Sequence, residues 1–392
     1  MAADSTTMLG ALKYVYGGLI SSLQNLDPTM WDKIGTAPEK PRGRGFVFGV
    51  HLSGNMAGGP TSEYAPLRAA QAERIAQATV NVKEYAHSIE ITNLIKALSK
   101  GDPASFVQVA DHAVREAAKS MRKYLSQDLY RDGTGTISLV NGAVSAATTI
   151  TVDQSNLFRK NMVLDGWNAA GSTKQFDSVQ ISYVDNPNNQ IELASAVTIE
   201  DNGLLKIEDV TSAMAIDGLA RMVDTTTTGT SYLGISRSTE LNWRGNVLSG
   251  GSNAISGDLM QQGLDRVLTE CGKQPTFILS NPIQRRQYLN LATPQRRFMD
   301  GKFDVGFNVL EFNGMPWNID VDCQRDRVWI LELDDIQKFI LQDVEINGDG
   351  GGMFKPVPGY RKSWAYYEFI GNAACRQPNH HLQINTLAQA TY

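Results

Sequence analysis

The chain has 392 residues, a formal net charge of −5 and 42% hydrophobic residues, which is typical of a globular protein that can bury a core. A protein that reads nucleic-acid sequence usually carries a strong basic excess, and the 36 basic and 41 acidic residues here argue against that class. They do not exclude a local contact with nucleic acid. Cys271, Cys323 and Cys375 are far apart and form no CxxC pair. We therefore expect reduced thiols rather than a disulfide framework or a zinc site.

The first residues predict neither export nor membrane insertion. They lack a basic segment followed by an apolar run, and no apolar stretch approaches the roughly 20 residues that span a bilayer. We therefore expect a soluble protein that is made in the cytoplasm and has no membrane partner.

Residues 8–24 place apolar side chains at helical spacing. The polar face of this helix lacks the Lys and Arg of a surface anchor, so we expect it to dock on this chain or on a neighbouring copy.

An extended hairpin arm is predicted next. Residues 36–67 run from a Pro, Gly and basic stretch through the strand pattern GFVFGVHLS into a turn region rich in Gly, Pro and Ser. Residues 74–92 alternate as a second strand whose phase changes midway, as a bulge allows, although their Ala-rich start also suits a helix. Such an arm has too few residues to bury both of its faces, so we expect it to pack on another chain.

The clearest pattern predicts a long helix over residues 102–129. Asp102 is a good N-cap, Pro103 suits the first helical turn, and Asp132-Gly133 ends the helix. At 1.5 Å per residue the rod is about 40 Å long. Its apolar stripe consists of Phe106, Ala110, Ala113, Val114, Ala117, Met121, Tyr124 and Leu125.

The rest of the chain predicts a β module followed by an α/β region. Residues 134–209 hold short strand-like pieces separated by Asn, Gly, Pro and Asp, which is typical of a small antiparallel module. In residues 210–345, helices and strands alternate. The predicted elements there are helices over 211–223, over 255–272 and from Pro282 to Leu291, and strands in PTFILSN, VLEFNGMPWNIDVD and RVWILEL. Residues 363–387 begin with a strand-rich segment.

This order of elements resembles the major capsid protein of tailed bacteriophages, whose fold is shared with herpesvirus capsid floors and encapsulins. The resemblance covers nearly the whole chain and depends on the order of the arm, the long helix, the β insertion, the α/β lobe with FILSNPIQRRQYL and the closing segment with FIGNAACRQPNHHLQI. The turn LYRDGTG, at residues 129–135, and the Pro378-Asn379 neighbourhood also look like those of such coat proteins.

The resemblance implies an α+β fold with an N-terminal arm, an extended E-loop hairpin, a peripheral domain with a long spine helix, an axial α/β domain and an inserted small β domain. The implied divisions are the N-terminal arm at 1–35, the hairpin and the start of the peripheral domain at 36–92, the spine helix at 93–133, the inserted β domain at 134–209, the axial domain at 210–345 and a return to the peripheral domain at 346–392.

The function that the resemblance implies is structural. The chain would self-assemble into pentamers and hexamers of an icosahedral phage head that encloses double-stranded DNA, in a virion assembled in the host cytoplasm. The alternatives are an encapsulin-type compartment, which the β insertion disfavours, and a phage tail protein, which the capped helix disfavours. The expected partners are other copies of the chain, a portal, decoration proteins, DNA packaged without sequence specificity, and a separate scaffolding protein, because helix 8–24 begins almost at once. No lysine lies between Lys40 and Lys83, so the arm gives no support for the lysine crosslinks of some family members.

Assembly contacts are expected on the arm and on the polar face of the long helix. The arm would bury apolar side chains on a neighbour, and basic residues at its root would pair with acids on the next spine helix. The residues concerned are Arg42, Arg44, Phe46, Phe48 and Met56 on the arm, and Asp111, Arg115 and Glu116 on the helix. A separate basic patch consists of Arg285, Arg286, Arg296 and Arg297, with Tyr288 and Phe298 interleaved. This patch either faces DNA or bridges subunits at the capsomer centre, and we favour bridging.

No residue pattern predicts a catalytic, cofactor or metal site. His380 and His381 are adjacent in an extended segment, so their side chains point to opposite faces. The stretch DVEING, from Asp343 to Gly348, starts like a calcium loop but has Phe354 where the loop needs its last Glu. We therefore expect a loop with acidic turn residues there, and a protein that is not an enzyme.

Overall fold

The structure, a computed structural model, describes residues 2–3, 29–41, 45–55, 57–66, 68–93, 103–211, 213–225, 231–292, 310–346 and 354–389, with the backbone alone for residues 2, 3, 29, 103–113 and 292. The helix predicted over residues 8–24 lies outside these ranges. Within them, no helix combines the length and the apolar character that crossing a membrane requires.

The helices and strands are numbered in chain order within the described residues. The α-helices are α1 (Thr29–Lys33), α2 (Pro103–Asp128), α3 (Leu219–Met222), α4 (Gly257–Cys271) and α5 (Pro282–Ala292). The strands are β1 (Ala2–Ala3), β2 (Gly35–Thr36), β3 (Gly45–Ser53), β4 (Arg74–Asn81), β5 (Lys83–Thr92), β6 (Thr136–Leu139), β7 (Val144–Thr151), β8 (Val163–Trp167), β9 (Lys174–Asp185), β10 (Gln190–Ile199), β11 (Leu204–Ile207), β12 (Ser231–Tyr232), β13 (Ile235–Ser236), β14 (Asn246–Ser249), β15 (Phe277–Ser280), β16 (Glu311–Phe312), β17 (Met315–Ile319), β18 (Val328–Leu331), β19 (Ile336–Ile346), β20 (Lys355–Pro356), β21 (Lys362–Cys375) and β22 (Leu382–Asn385).

The chain divides into two compact units. The first unit consists of Met1–Lys33, Val82–Ser126 and Ile340–Asn372. The second unit consists of Ile34–Asn81, Gln127–Phe339 and Ala373–Tyr392.

The sheet of the first unit is organised around β21. This strand pairs antiparallel with β5, from Lys362 opposite Thr92 to Gly371 opposite Lys83, and its other neighbour is β19. Alternate residues of β21 are buried, as expected for a strand with one face on a core. On the buried face, the ring of Phe369 meets the ring of Trp31 from α1 edge to face, with centroids 5.6 Å apart.

The long helix α2 confirms the clearest prediction from the sequence. It runs from Pro103 to Asp128, within one residue of the predicted range at each end. In the part whose side chains are described, Ala117, Met121 and Leu125 of the predicted stripe are buried. The apolar stripe predicted from the sequence therefore corresponds to a buried face of the helix.

The arm hairpin, in the second unit, consists of β3 and β4. They pair antiparallel from Gly45 opposite Asn81 to Ser53 opposite Arg74. The single strand predicted over residues 74–92 is two strands, because the phase change falls at Val82 and β5 pairs with β21 instead of β3. The paired part of the arm is thus shorter than predicted.

The insertion after α2 forms a small antiparallel barrel. Its strand order is β6-β11-β8-β9-β10-β7. Val140 and Val152 bridge the two outermost strands, and the N–H of Asn141 donates to the carbonyl of Thr151 at 2.9 Å, so the sheet closes on itself. The buried interior consists of Ile137, Val140, Ile150, Val152, Leu157, Phe158, Leu164, Phe176, Ile181, Ile191, Leu193, Val197, Ile199 and Leu205. These strands lie within the range 134–209 predicted for an inserted β module.

The second unit also contains a mixed six-stranded sheet, here called the lobe sheet. Its order is β14-β22-β18-β15-β17-β16. Helix α4 begins after Ser256, whose Oγ accepts a hydrogen bond from the N–H of Leu259 at 3.1 Å. It ends at Gly272, which adopts a left-handed φ of 71°. The predicted helices at 255–272 and from Pro282 are confirmed as α4 and α5.

Three expectations about this region are corrected. The helix predicted over 211–223 shrinks to α3. Within the predicted range, Ala213 takes a left-handed φ of 66° that a helix cannot continue through. Asp343 lies in β19, which continues to Ile346, so the segment is a strand up to that residue rather than an acidic loop. Strand β22 lies inside the lobe sheet, so the C-terminal part does not return as a whole to the first unit.

Candidate functional site

The root of the arm is anchored to its own chain by aromatic packing. Phe46 and Phe48 are only 1% and 8% exposed. Both rings contact Phe339, with centroid distances of 5.4 Å and 5.9 Å. The expectation that these two side chains are buried on a neighbour is therefore wrong, because their surface is already used within one copy.

Arg376 completes this anchor. Its guanidinium lies 5.1 Å above the centroid of the Phe48 ring, in the geometry of a cation–π contact. Its Nε donates to Oε1 of Gln337 at 2.8 Å, and its Nη2 pairs with Glu39. Burial opposes ionisation of Glu39. The hydrogen bond from Arg376, a backbone hydrogen bond and the charge of Arg376 together outweigh that effect and lower the pKa of the carboxyl.

Beyond the root, the arm is exposed along its length. Each described residue from Gly58 to Ile75 is exposed, and Arg74 pairs with Glu240 at 2.5 Å where the tip begins. Exposure of this extent leaves the arm free to contact another molecule. The predicted contacts Met56, Arg42 and Arg44 lie outside the described residues.

On the polar face of α2, some side chains form contacts within the helix. Glu116 is half-buried and pairs with Lys119, one turn further on, at 3.4 Å. Arg115 is exposed. The side chain of Asp111 lies outside the described part. The predicted pairing of this face with the arm of a neighbour stays a prediction.

The basic patch is described only in part. Arg285 and Arg286 lie on α5, whereas Arg296 and Arg297 are outside the described residues. The interleaved Tyr288 stacks on Trp317, with centroids 5.0 Å apart, so its ring already packs within its own chain. The alternatives of DNA contact and intersubunit bridging both stay predictions for this patch.

The two C-terminal histidines are held by hydrogen bonds. Nδ1 of His380 lies 2.6 Å from a carboxylate oxygen of Asp335. Nδ1 of the buried His381 accepts from the N–H of Glu332 at 3.2 Å, and its Nε2 lies 3.0 Å from Sγ of Cys375. Burial lowers the pKa of His381 to about 3 and raises the pKa of the Cys375 thiol. The pair is therefore neutral thiol and neutral imidazole, not the ion pair of a reactive cysteine.

Groups of His, Cys, Asp and Glu that would hold a metal ion are absent from the described part of the chain. The buried thiols Cys323 and Cys375 are both free.

A polar junction that sequence reasoning missed fixes the barrel to the lobe sheet. The loop at 320–327 offers the backbone carbonyl of Cys323, which accepts from the side-chain amides of Gln154 and Asn281, each at 3.0 Å. The phenol of Tyr130, just past α2, donates to Asp320 at 2.7 Å. In the sequence this loop shows only as a charged stretch without periodicity, so no local signal identifies its partners.

Comparisons with known proteins show which fold the chain has. No family model matches the sequence, and no curated protein does. Among solved structures, the capsid asymmetric unit of cyanophage A-1(L) matches with a TM-score of 0.54 and 14% identity over 96% of both chains. The capsid of the empty GTA particle matches with a TM-score of 0.50 and 8% identity over 99% of both chains.

A holo-SrpI encapsulin from Synechococcus elongatus PCC 7942 covers 99% of this chain and 98% of its own, with a TM-score of 0.47 and 10% identity. The conclusion on the fold comes from the two capsid structures, whose likeness extends over nearly the full length of both chains. The α+β fold expected from the sequence is thereby confirmed, and the chain has the major capsid protein fold of phage capsids.

Proposed function

We propose that the chain is the structural subunit of an icosahedral phage head, which self-assembles into pentamers and hexamers that enclose double-stranded DNA. The observation that carries this proposal is the capsid fold over 96% of the chain. On this proposal the protein is part of the virion, is assembled in the host cytoplasm and has a structural rather than a catalytic role.

The exposed arm supports the proposal independently of the fold. From Gly58 to Ile75 every described residue is exposed, although Arg74 pairs with Glu240. Ordering this segment in a monomer therefore costs conformational entropy with little compensating burial. A neighbouring copy can supply the missing contacts. Since the arm and the surface it meets differ, the contact is head-to-tail, and head-to-tail contacts generate closed rings when the rotation fits.

The proposed partners follow from the same scheme. They are further copies of the chain, a separate scaffolding protein, a portal, decoration proteins and DNA bound without sequence specificity. The formal charge of −5 suits loose packaging, because tight phosphate binding needs a basic excess.

Sedimentation velocity and negative-stain electron microscopy of the purified chain, with and without its scaffolding protein, test the proposal. We expect closed particles of uniform size. Only monomers, or open tubes, under all assembly conditions would contradict it. Closed particles that retain a folded cargo protein instead of DNA when isolated from their native host would favour an encapsulin-type compartment.

A further inference from the structure

A cavity lies where the segment just past helix α2, strand β6 and the loop at 320–327 meet. Its volume is about 270 Å³, and every residue that lines it belongs to the second unit. Charged side chains dominate the lining. They are Arg131, Arg325 and Arg327 on the positive side, and Asp132, Asp153 and Asp326 on the negative side. Such a lining does not suit an apolar group, so the arrangement of the charges decides what the cavity can hold.

The guanidinium of Arg131 is poorly compensated. Burial is the largest influence on it and lowers its pKa to about 10. The carboxylates of Asp128, Asp132 and Asp322 oppose this effect only through their charge. Asp132 is engaged elsewhere, because its Oδ1 accepts from the N–H and from the hydroxyl of Thr134. Among the described residues, no carboxylate is hydrogen-bonded to Arg131, so this desolvated group needs an acceptor for its N–H donors.

A second positive charge, that of Arg327, lies in the same part of the cavity. It is one of the influences that lower the pKa of Arg131, so the two guanidinium groups repel each other. Nε of Arg327 has no hydrogen-bond partner among the described residues and lies 3.4 Å from Oδ1 of Asp326. The third arginine, Arg325, already donates to two asparagine side chains of the barrel. Two partly buried like charges destabilise the folded chain unless a counter-charge lies near them.

The carboxylates of the cavity do not neutralise its arginines one by one. Burial raises the pKa of Asp153, and the charges of Asp326 and Asp201 raise it further. None of the three arginines is among the groups that shift the pKa of Asp153, so this carboxyl lies away from them. The cavity therefore has a positive end at Arg131 and Arg327 and a negative end at Asp153.

We infer that the positive end of this cavity binds a small oxyanion, such as inorganic phosphate, between Arg131 and Arg327. Guanidinium groups bind phosphate through parallel N–H···O bonds, and an anion there offsets the repulsion between the two arginines. A free ion fits better than the backbone of DNA, because a duplex would also bring its neighbouring phosphates past Asp132 and Asp153.

The bound ion connects the segment just past α2 to the loop at 320–327. The same two segments are already joined by the hydrogen bond from the phenol of Tyr130 to Asp320. The ion adds a second link beside this one, and it stabilises the folded subunit in proportion to its occupancy. This site does not depend on the proposed shell function, since all of its residues belong to one copy of the chain.

Thermal unfolding of the unassembled subunit in a phosphate titration tests the inference. The pH and the ionic strength are held constant, with chloride as the balancing anion. A ligand that binds only the folded chain raises the unfolding midpoint along a binding curve from which its Kd is obtained. Phosphate also stabilises proteins in general because it is excluded from their surface, but that effect does not saturate and is shared by all variants.

The variant Arg131→Gln removes the charge and keeps a polar side chain. We expect the Kd for phosphate to rise about tenfold or more, because charge-assisted hydrogen bonds are lost. In chloride alone the variant should be at least as stable as the unmodified subunit, since it removes a desolvated charge. The matched control is Arg266→Gln, at an exposed arginine of α4 that pairs with Glu270, and it should leave the Kd unchanged.

An arginine with a purely structural role gives the opposite result. Arg131→Gln would then lose stability in chloride and respond to phosphate as the control does, and either finding overturns the inference. A rise in the midpoint that never saturates in the unmodified subunit overturns it as well.

A second measurement needs no variant. Tungstate is an electron-dense oxyanion of the same shape, and structure determination of the unmodified protein in its presence should show density between Arg131 and Arg327. Tungstate found only elsewhere on the chain would overturn the site. Neither measurement requires assembled particles, so failure of the site leaves the shell function standing, and failure of assembly leaves the site standing.

Discussion

Replacing Gly218 with alanine should break the connection between the end of helix α2 and the short helix α3. An alanine Cβ at this position would lie 2.2 Å from the carbonyl oxygen of Arg131, 2.5 Å from that of Asp128 and 2.6 Å from that of Leu129. All three contacts are shorter than the 3.0 Å below which a Cβ is essentially never found, and all three partners are backbone atoms that cannot rotate away. The chain must shift by about an ångström to relieve them.

The expected loss follows from two terms. Overpacking of a filled site costs about 1–3 kcal/mol. The shift also breaks the hydrogen bond from the N–H of Leu219 to the carbonyl of Leu129, which is 2.6 Å long, and a hydrogen bond of this kind contributes about 0.5–1.5 kcal/mol. We therefore expect the free energy of unfolding of the second unit to fall by about 2–4 kcal/mol.

The assay is urea unfolding of the unassembled subunit, followed by tryptophan fluorescence. The matched control is Gly257→Ala at the first residue of α4, where a Cβ meets nothing within 4 Å. The control should change the free energy of unfolding by less than about 0.5 kcal/mol. If both variants unfold at the urea concentration of the unmodified subunit, the close packing of Gly218 against the end of α2 is refuted.

Three further predictions concern buried side chains. Phe48→Ala should lower the free energy of unfolding by about 3–5 kcal/mol, measured by urea unfolding, because it leaves a cavity beside Phe339. Tyr130→Phe should lower it by about 1–3 kcal/mol, because the carboxylate of Asp320 loses a buried donor. The pKa of folded His381, about 3, lies below its unfolded value of about 6.5, so its contribution is fully present above pH 6.5 and falls by about 1.4 kcal/mol per pH unit on acidification towards pH 3. His381→Asn should remove that component from the pH dependence of unfolding.

Each of these predictions has a contradicting outcome. An unchanged midpoint for Phe48→Ala would mean that the arm root is not packed in the free subunit. If the Tyr130→Phe variant is as stable as the unmodified protein, the hydrogen bond from Tyr130 to Asp320 does not stabilise the junction. For His381, the informative quantity is the difference between the two pH profiles, and parallel profiles between pH 6.5 and pH 4 would show that the imidazole is not buried in the neutral form.

Local periodicity predicts the parts of the fold whose order comes from nearby residues. The stripe on α2 and the extent of α4 are visible in the sequence because each involves residues within a few turns of the chain. The closure of the barrel is not visible, since it depends on a bridge between Val140 and Val152 whose geometry is set by four intervening strands.

The candidate site shows the same limit. The aromatic pattern at Phe46 and Phe48 predicts burial correctly, but the sequence does not say in which chain, and the partner Phe339 lies almost 300 residues away. Strand β19 escaped prediction because its polar and apolar residues alternate only in part. The exposure of Tyr64 likewise depends on how the whole arm projects, which no local pattern encodes.

The central claim, that the chain is a shell subunit, is tested most directly by cryo-electron microscopy of particles assembled from the purified protein. We expect closed icosahedral shells built from rings of five and six subunits, in which each arm crosses onto the next subunit. Well-dispersed monomers, or filaments without closed shells, under conditions where the subunit is folded and concentrated would contradict it.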